Sequence, residues 1–350
     1  MTRHHRFRSV MGMYTALDQS PQTVVNEDTP AGTDTAIEVT GLTMRYGPRQ
    51  VVNGIDFTVN HGEVFAFLGP NGAGKTTTVE ILEGFRSRTA GTVRVLGIDP
   101  ESAPSAWRDR VGVVLQSSVP EPDLTVEETV ELYAGFYRRP RPVDEVLALT
   151  GLEAQAGMRN RRLSGGQQRR LDVALALVGD PDVLFLDEPT TGFDPAARRA
   201  AWETIAGLKR LGKTIFLTTH YLEEAEYLAD RIAVITAGRI VATGTPADLG
   251  GRDQQPSTVR LALHPSIPFN EWPAEFAAGA GVAARLRPRP RPRLLADGRF
   301  EFDSSDPAAD LYELTRWATT NGVRIDGLEV TRPTLEDVYL ALTDEREAQQ

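Results

Sequence analysis

Gly69-Pro70-Asn71-Gly72-Ala73-Gly74-Lys75-Thr76 follows the apolar run Val64 to Leu68 and leads into a helix expected to start near Thr76. Strand, glycine-rich turn ending in Lys-Thr, and helix together make the phosphate-loop pattern. The glycines let backbone amides curl round an anion, the helix N-terminus adds partial positive charge, and Lys75 adds a full one. Thr76, followed by Thr77, offers a hydroxyl to Mg²⁺. A second apolar run, Val183 to Leu186, ends in Asp187 and Glu188, at the strand end where open parallel sheets place ligands. Asp187 suits the orienting of Mg²⁺ or its water, and Glu188 the polarising of a water for in-line attack.

Outward from these two elements, residues from about 36 to 250 alternate β-rich runs with helical patterns, the rhythm of an α/β domain. Strands are expected at Ile37 to Val39, Ile55 to Val59, Glu63 to Leu68, Val111 to Leu115 and Thr214 to Thr218. From about 101 to 165 the strands fade and Leu124 to Tyr137 has apolar residues at helical spacing, which reads as a helical insertion. Gly250, Gly251 and the polar residues up to Ser257 read as a linker. A small α+β domain is expected over 251–345, with strands at Thr258 to Leu263, Arg299 to Phe302 and Val323 to Val330 and helices at Pro307 to Thr319 and Thr334 to Leu342. The Pro/Arg alternation Arg285 to Arg293 reads as an exposed loop. Residues 1–35 read as a disordered extension: a basic run, Arg3 to Arg8, precedes a weak apolar stretch without a small-residue cleavage pattern, then a Thr/Asp/Pro-rich tail.

The 350 residues are 41% hydrophobic and 25% charged, enough for one large domain and a smaller one. With no cysteine, neither disulfides nor thiolate metal sites are available, and a reducing compartment, the cytoplasm, is expected. A net charge of −10 argues against a surface built to bind nucleic acid. The longest apolar runs, such as Val173 to Val178, fall far short of the roughly 20 residues a spanning helix needs.

Leu163-Ser164-Gly165-Gly166-Gln167 narrows the reading, because it matches the signature of ATP-binding cassette (ABC) proteins letter for letter. From about Ile37 to Gly250 the chain is similar to that family, with its landmarks in order. The resemblance implies an ABC ATPase fold: a RecA-like phosphate-loop core, an antiparallel β subdomain and an α-helical subdomain. It implies ATP and Mg²⁺ as ligands, and a head-to-tail homodimer in which Ser164, Gly165, Gly166 and Gln167 reach the γ-phosphate bound to the opposite subunit. An open Ser-Gly-Gly turn at a helix start suits an anion. Tyr46 resembles the aromatic that stacks on adenine. Gln116 resembles the glutamine that touches metal and attacking water, although Leu115 stands where many relatives have proline. Asp194, behind Phe193 in place of the commoner leucine, resembles the loop that crosses the dimer interface. His220 resembles the switch histidine that binds the γ-phosphate and holds Glu188 and water. With Glu188 and His220 both present, the chain is expected to hydrolyse ATP.

Within the family, Leu124 to Glu128 with Tyr133 to Tyr137, and the ending Pro333 to Tyr339, resemble the single-cassette subunits of bacterial drug and polysaccharide exporters, notably the daunorubicin-resistance type. That likeness implies a separate transmembrane permease as partner, and a location on the inner face of the plasma membrane with membrane contact through the permease alone. Two other readings stay open. A soluble mechanical ATPase would usually carry two cassettes or a long coiled coil, and neither is present. An importer subunit would share every catalytic motif.

Overall fold

The computed structural model describes residues 34–114, 121–264 and 292–347. They form two compact units, one ending at Pro246 and the other starting at Ala247. In the first, β1 (Thr35–Tyr46) and β2 (Arg49–Asn60) make a long hairpin, β3 is Val64–Leu68, α1 Lys75–Leu82 and β4 Ala90–Val95. There follow α2 (Ser105–Arg108), β5 (Val111–Val114), α3 (Val126–Ala134), α4 (Val143–Thr150) and α5 (Gly165–Leu177). β6 (Val183–Asp187), α6 (Pro195–Arg210), β7 (Thr214–Thr219), α7 (Leu222–Leu228), β8 (Arg231–Thr236) and β9 (Arg239–Gly244) complete it.

β2, β1 and β4 form an antiparallel sheet, while a six-stranded sheet runs β5-β6-β7-β3-β8-β9. Its first five strands are parallel and β9 is antiparallel to β8. Strands β3, β6 and β7 are buried at every position, as expected for strands covered on both faces, and this is why they read as unbroken apolar runs. Phe57 of β2 stacks on Phe65 of β3 at 5.5 Å, and Phe65 lies 5.7 Å from Phe216 of β7, so one aromatic cluster joins the two sheets.

The helical subdomain packs Val130, Val146, Leu147, Leu171 and Ala174 around its own small core. Helix α3 starts in a capping box, with Glu128 N–H donating to Thr125 Oγ1 and Thr125 N–H to Glu128. Strand β5 lies within the stretch read as helical insertion and belongs to the main sheet, paired with β6.

In the second unit β10 (Ser257–His264), β11 (Arg293–Leu294), β12 (Phe300–Ser304) and β13 (Arg324–Thr331) form an antiparallel sheet in the order β11-β12-β10-β13. Leu314 and Ala318 of α8 (Pro307–Thr320) pack on Val259, Leu261 and Phe302 of that sheet. The helix α9 (Leu335–Glu347) closes the chain. The stretch read as a linker instead begins with tight turns over Leu249–Gln254, broken at the left-handed Gly250 and Gly251, and Leu249 is fully buried. Gly250, at φ 61°, lies so near Val338 that an added Cβ would sit 2.6 Å from its Cγ1, and Arg252 Nε donates to Pro333 O at 2.7 Å. The extension 1–33 and most of the Pro/Arg alternation lie outside the described residues. Among the described residues no helix is long and apolar enough to cross a membrane.

Candidate active site

Three adjacent parallel strands, β6, β7 and β3, align their carboxyl ends, with Asp187 opposite Thr218 and Leu68 opposite Thr219. The phosphate loop, the acidic pair and His220 leave the sheet there side by side. Gly69 has no room for a side chain, since a Cβ would lie 2.3 Å from Ile235 O. Gly74, just before α1, takes φ 108° with a Cβ position 2.8 Å from Val51 O.

Lys75 is buried, donating to Gly69 O at 2.8 Å and Pro70 O at 3.3 Å, with Nζ 3.5 Å from Glu188 Oε1. Thr76 and Thr77 stand in the first turn of α1. They share a cleft of about 360 Å³ with Asn71, Gly72, Gly74, Lys75, Glu188 and Tyr46. Ala73 is buried under the loop, its N–H donating to Pro70 O. Tyr46, at the end of β1, is 40% exposed, so its ring is open to a ligand.

Asp187 is buried and its Oδ1 accepts from the Thr218 hydroxyl at 2.7 Å. Glu188 has φ 49°, unusual for a residue with a side chain, and its N–H donates to both Thr218 O and Thr218 Oγ1 at 3.1 Å. That turn sends its carboxylate toward the loop rather than along the strand. Glu188 Oε2 accepts from Thr191 Oγ1 at 3.1 Å and lies 3.4 Å from His220 Nδ1. Lys75, Glu188 and His220 thus form a chain of contacts, the first two lining the cleft.

The signature residues do not join them. Ser164 caps α5 in a capping box with Gln167, whose N–H donates to Ser164 Oγ at 3.3 Å, and Gly165 and Gly166 make the first turn. Ser164, Gly166 and Gln167 line a separate cleft of about 250 Å³, with Phe193 across it. Asp194 caps α6, its Oδ1 accepting from the N–H groups of Ala196 and Ala197 at 2.9 Å. Gln116 lies outside the described residues.

Four residues that sequence reading passed over shape the site. Arg49 lines the phosphate-loop cleft. Thr218 fixes both Asp187 and Glu188 as described. Arg169, buried on the signature helix, donates to Pro189 O at 2.9 Å and to Asp187 O at 3.2 Å, tying that helix to the acidic loop. Glu224 is fully buried on α7, and its Oε1 accepts from Thr190 Oγ1 at 2.8 Å and Trp202 Nε1 at 3.1 Å. Burial pushes its carboxyl up from the ordinary range, against the pull of the Thr219, Thr190 and Trp202 donors. Two of those donors neighbour the acidic pair and the histidine, Thr190 lying beyond Glu188 and Thr219 before His220. No sequence signal marks the contacts of Arg169 with Asp187 and Pro189, of Thr218 with Asp187, or of Glu224 with Thr190 and Trp202, since each of these spans 18 or more positions.

The ABC transporter family model matches residues 52–191. Among curated proteins the chain is 44% identical over 223 residues to the Nod factor export ATP-binding protein I of Ralstonia nicotianae, covering 62% of this chain and 70% of that protein. It is 37% identical over 322 residues to a daunorubicin resistance ATP-binding protein of Streptomyces coeruleorubidus, covering 89% of this chain and 96% of that one. Among solved structures it resembles an ATP binding subunit of an ABC transporter, with a TM-score of 0.55 and 29% identity over 61% of this chain and 91% of that one. It also resembles an ATP-binding cassette solved as a dimer in a post-hydrolysis state with ADP and Pi, with a TM-score of 0.54 and 26% identity over 60% and 98% of the two chains. The phosphate loop, the acidic strand end and these matches lead to one statement: the chain belongs to the ABC transporter family and carries its ATP-hydrolysing domain.

Proposed function

We propose that the chain is the ATP-hydrolysing subunit of an exporter, working as a homodimer that sandwiches ATP and drives a separate permease at the inner face of the plasma membrane. The observation that carries this reading is the match to the daunorubicin resistance protein. At 322 residues it is too long to be confined to the first unit and takes in 96% of that relative. In this reading Tyr46 stacks on adenine while the amides of the loop from Gly69 to Gly74, with Lys75, hold the phosphates. Thr76 and Asp187 would hold Mg²⁺, with Gln116 assisting; hydroxyl and carboxylate oxygens are the donors a hard cation prefers. Bound there, Mg²⁺ would neutralise charge developing on the phosphates.

Among the described residues no three acidic, His or Cys side chains form a metal cage, which suits an ion that is held largely by the triphosphate itself. Glu188 orients the attacking water and accepts its proton, and His220, 3.4 Å away, keeps that carboxylate aimed. Ser164, Gly165, Gly166, Gln167 and Asp194 act on the nucleotide of the other copy. The placement of Ser164, Gly166 and Gln167 in a different cleft from Lys75 supports that division, because one chain alone does not close a site. Dimer closure excludes water and completes both sites.

Flotation of the full chain with inside-out vesicles from its own cells tests the permease. It should float with these vesicles, and not with protein-free liposomes or vesicles stripped of surface protein by protease. Failure to float with native vesicles, or equal binding to bare lipid, contradicts the reading.

A further inference from the structure

The base-binding aromatic has a charged backing that neither the phosphate loop nor the catalytic pair requires. Arg86 places its guanidinium carbon 5.1 Å from the centroid of the Tyr46 ring, over one face. Its Nε donates to Glu80 Oε2 at 2.6 Å, so the cation is aimed rather than free to swing. Its own backbone N–H, and that of Phe85, donate to Glu80 O at 3.1 and 2.8 Å, which folds the chain back at the end of α1.

The neighbouring turn is bound to the same strand as Tyr46. Thr89 N–H donates to Thr43 O at 2.9 Å, and the Arg45 N–H donates to Thr89 Oγ1 at 3.0 Å. One short helix therefore presents Lys75 and Thr76 at its start and, just past its end, the arginine that covers Tyr46. Tyr46 also lines the cleft that holds Lys75 and Thr76, whereas Arg86 is not among the residues lining it.

We infer that Arg86 is a positioning residue for the purine base: it clamps Tyr46 from behind, so that the ring meets adenine as the middle layer of an arginine–tyrosine–base stack. The inference rests on the reading of Tyr46 as the base-stacking residue. A guanidinium over an aromatic face at a partly exposed site is worth enough to change affinity roughly two- to five-fold. Glu80 contributes by fixing the guanidinium, not by touching nucleotide.

Titration calorimetry on the full chain with ATP and, separately, with inorganic tripolyphosphate tests this through four proteins: wild type, Arg86→Ala, Tyr46→Ala and the double variant. ATP should bind roughly two- to five-fold more weakly to Arg86→Ala, while tripolyphosphate binds all four alike, which also shows the phosphate loop to be folded. In the Tyr46→Ala background the Arg86 substitution should cost nothing further. Three results overturn the role of Arg86: unchanged ATP affinity in Arg86→Ala when Tyr46→Ala is weakened, an equal loss for tripolyphosphate, or an undiminished loss without Tyr46. If Tyr46→Ala itself binds ATP as wild type does, the base-stacking reading falls and the inference with it.

Discussion

Glu188 combines a backbone at φ 49° with a carboxylate 3.5 Å from Lys75 and 3.4 Å from His220. A strained residue held by two hydrogen bonds from its own N–H is the kind of arrangement that persists where a side chain must be aimed. His220→Ala removes one of the groups beside that carboxylate, and steady-state ATP turnover should fall about 100-fold or more while ATP binding measured by calorimetry persists. Unchanged turnover would remove His220 from the chemistry. Glu224 gives a pH signature instead. Its folded pKa is raised by burial, so the folded state keeps a proton that the unfolded state gives up. The stability associated with neutral Glu224 is full below the ordinary carboxylate range and lost as pH rises through the folded pKa. Thermal melting across a pH series should therefore show wild-type stability declining relative to Glu224→Gln as pH rises from the ordinary carboxylate range; parallel profiles would contradict the shift.

Among the elements, Gly69 and the aromatic cluster at the sheet interface make the sharpest demands. Gly69→Ala puts a methyl group 2.3 Å from Ile235 O, so ATP binding should be lost with the far-UV circular dichroism retained; normal binding would mean the loop can yield. Phe216 contacts Phe57, Phe65, Phe67 and Phe185, and Phe216→Ala should cost about 3–5 kcal/mol in denaturant unfolding. The phosphate loop and strands β3, β6 and β7 were legible because their signals are local: a spaced motif, and apolar runs from strands covered on both faces. Gly250 and Gly251 were read as a linker because glycine supplies freedom to linkers and left-handed turns alike, and only the closeness of Val338 to Gly250 separates the two. At the start of α9 Thr334 and Asp337 form a reciprocal cap, Thr334 N–H donating to Asp337 Oδ2 at 2.7 Å and Asp337 N–H to Thr334 Oγ1 at 3.1 Å. The ties of Arg169 to Asp187 and Pro189, of Thr218 to Asp187, and of Glu224 to Thr190 and Trp202 are invisible in the sequence because those partners meet only in the folded chain.

At the level of the whole molecule, the chain carries a phosphate loop with Glu188 in one cleft and Ser164, Gly166 and Gln167 of a helix start in another. This division is the physical basis for the proposed head-to-tail pair, in which each copy completes the other. Ser164→Ala removes the cap of α5, an effect on stability of about 1 kcal/mol, yet on this account it should reduce turnover far more than stability. A loss of activity no larger than the loss of folded protein would mean that the signature serves only as a cap.

The most direct measurement is light scattering on size-separated Glu188→Gln protein, with and without ATP and Mg²⁺. On the proposed role of Glu188 the substitution should block turnover while leaving the phosphate-loop residues unchanged, so ATP should convert the monomer to a stable dimer that Ser164→Ala in the same chain prevents. A Glu188→Gln chain that binds ATP and stays monomeric would contradict the account.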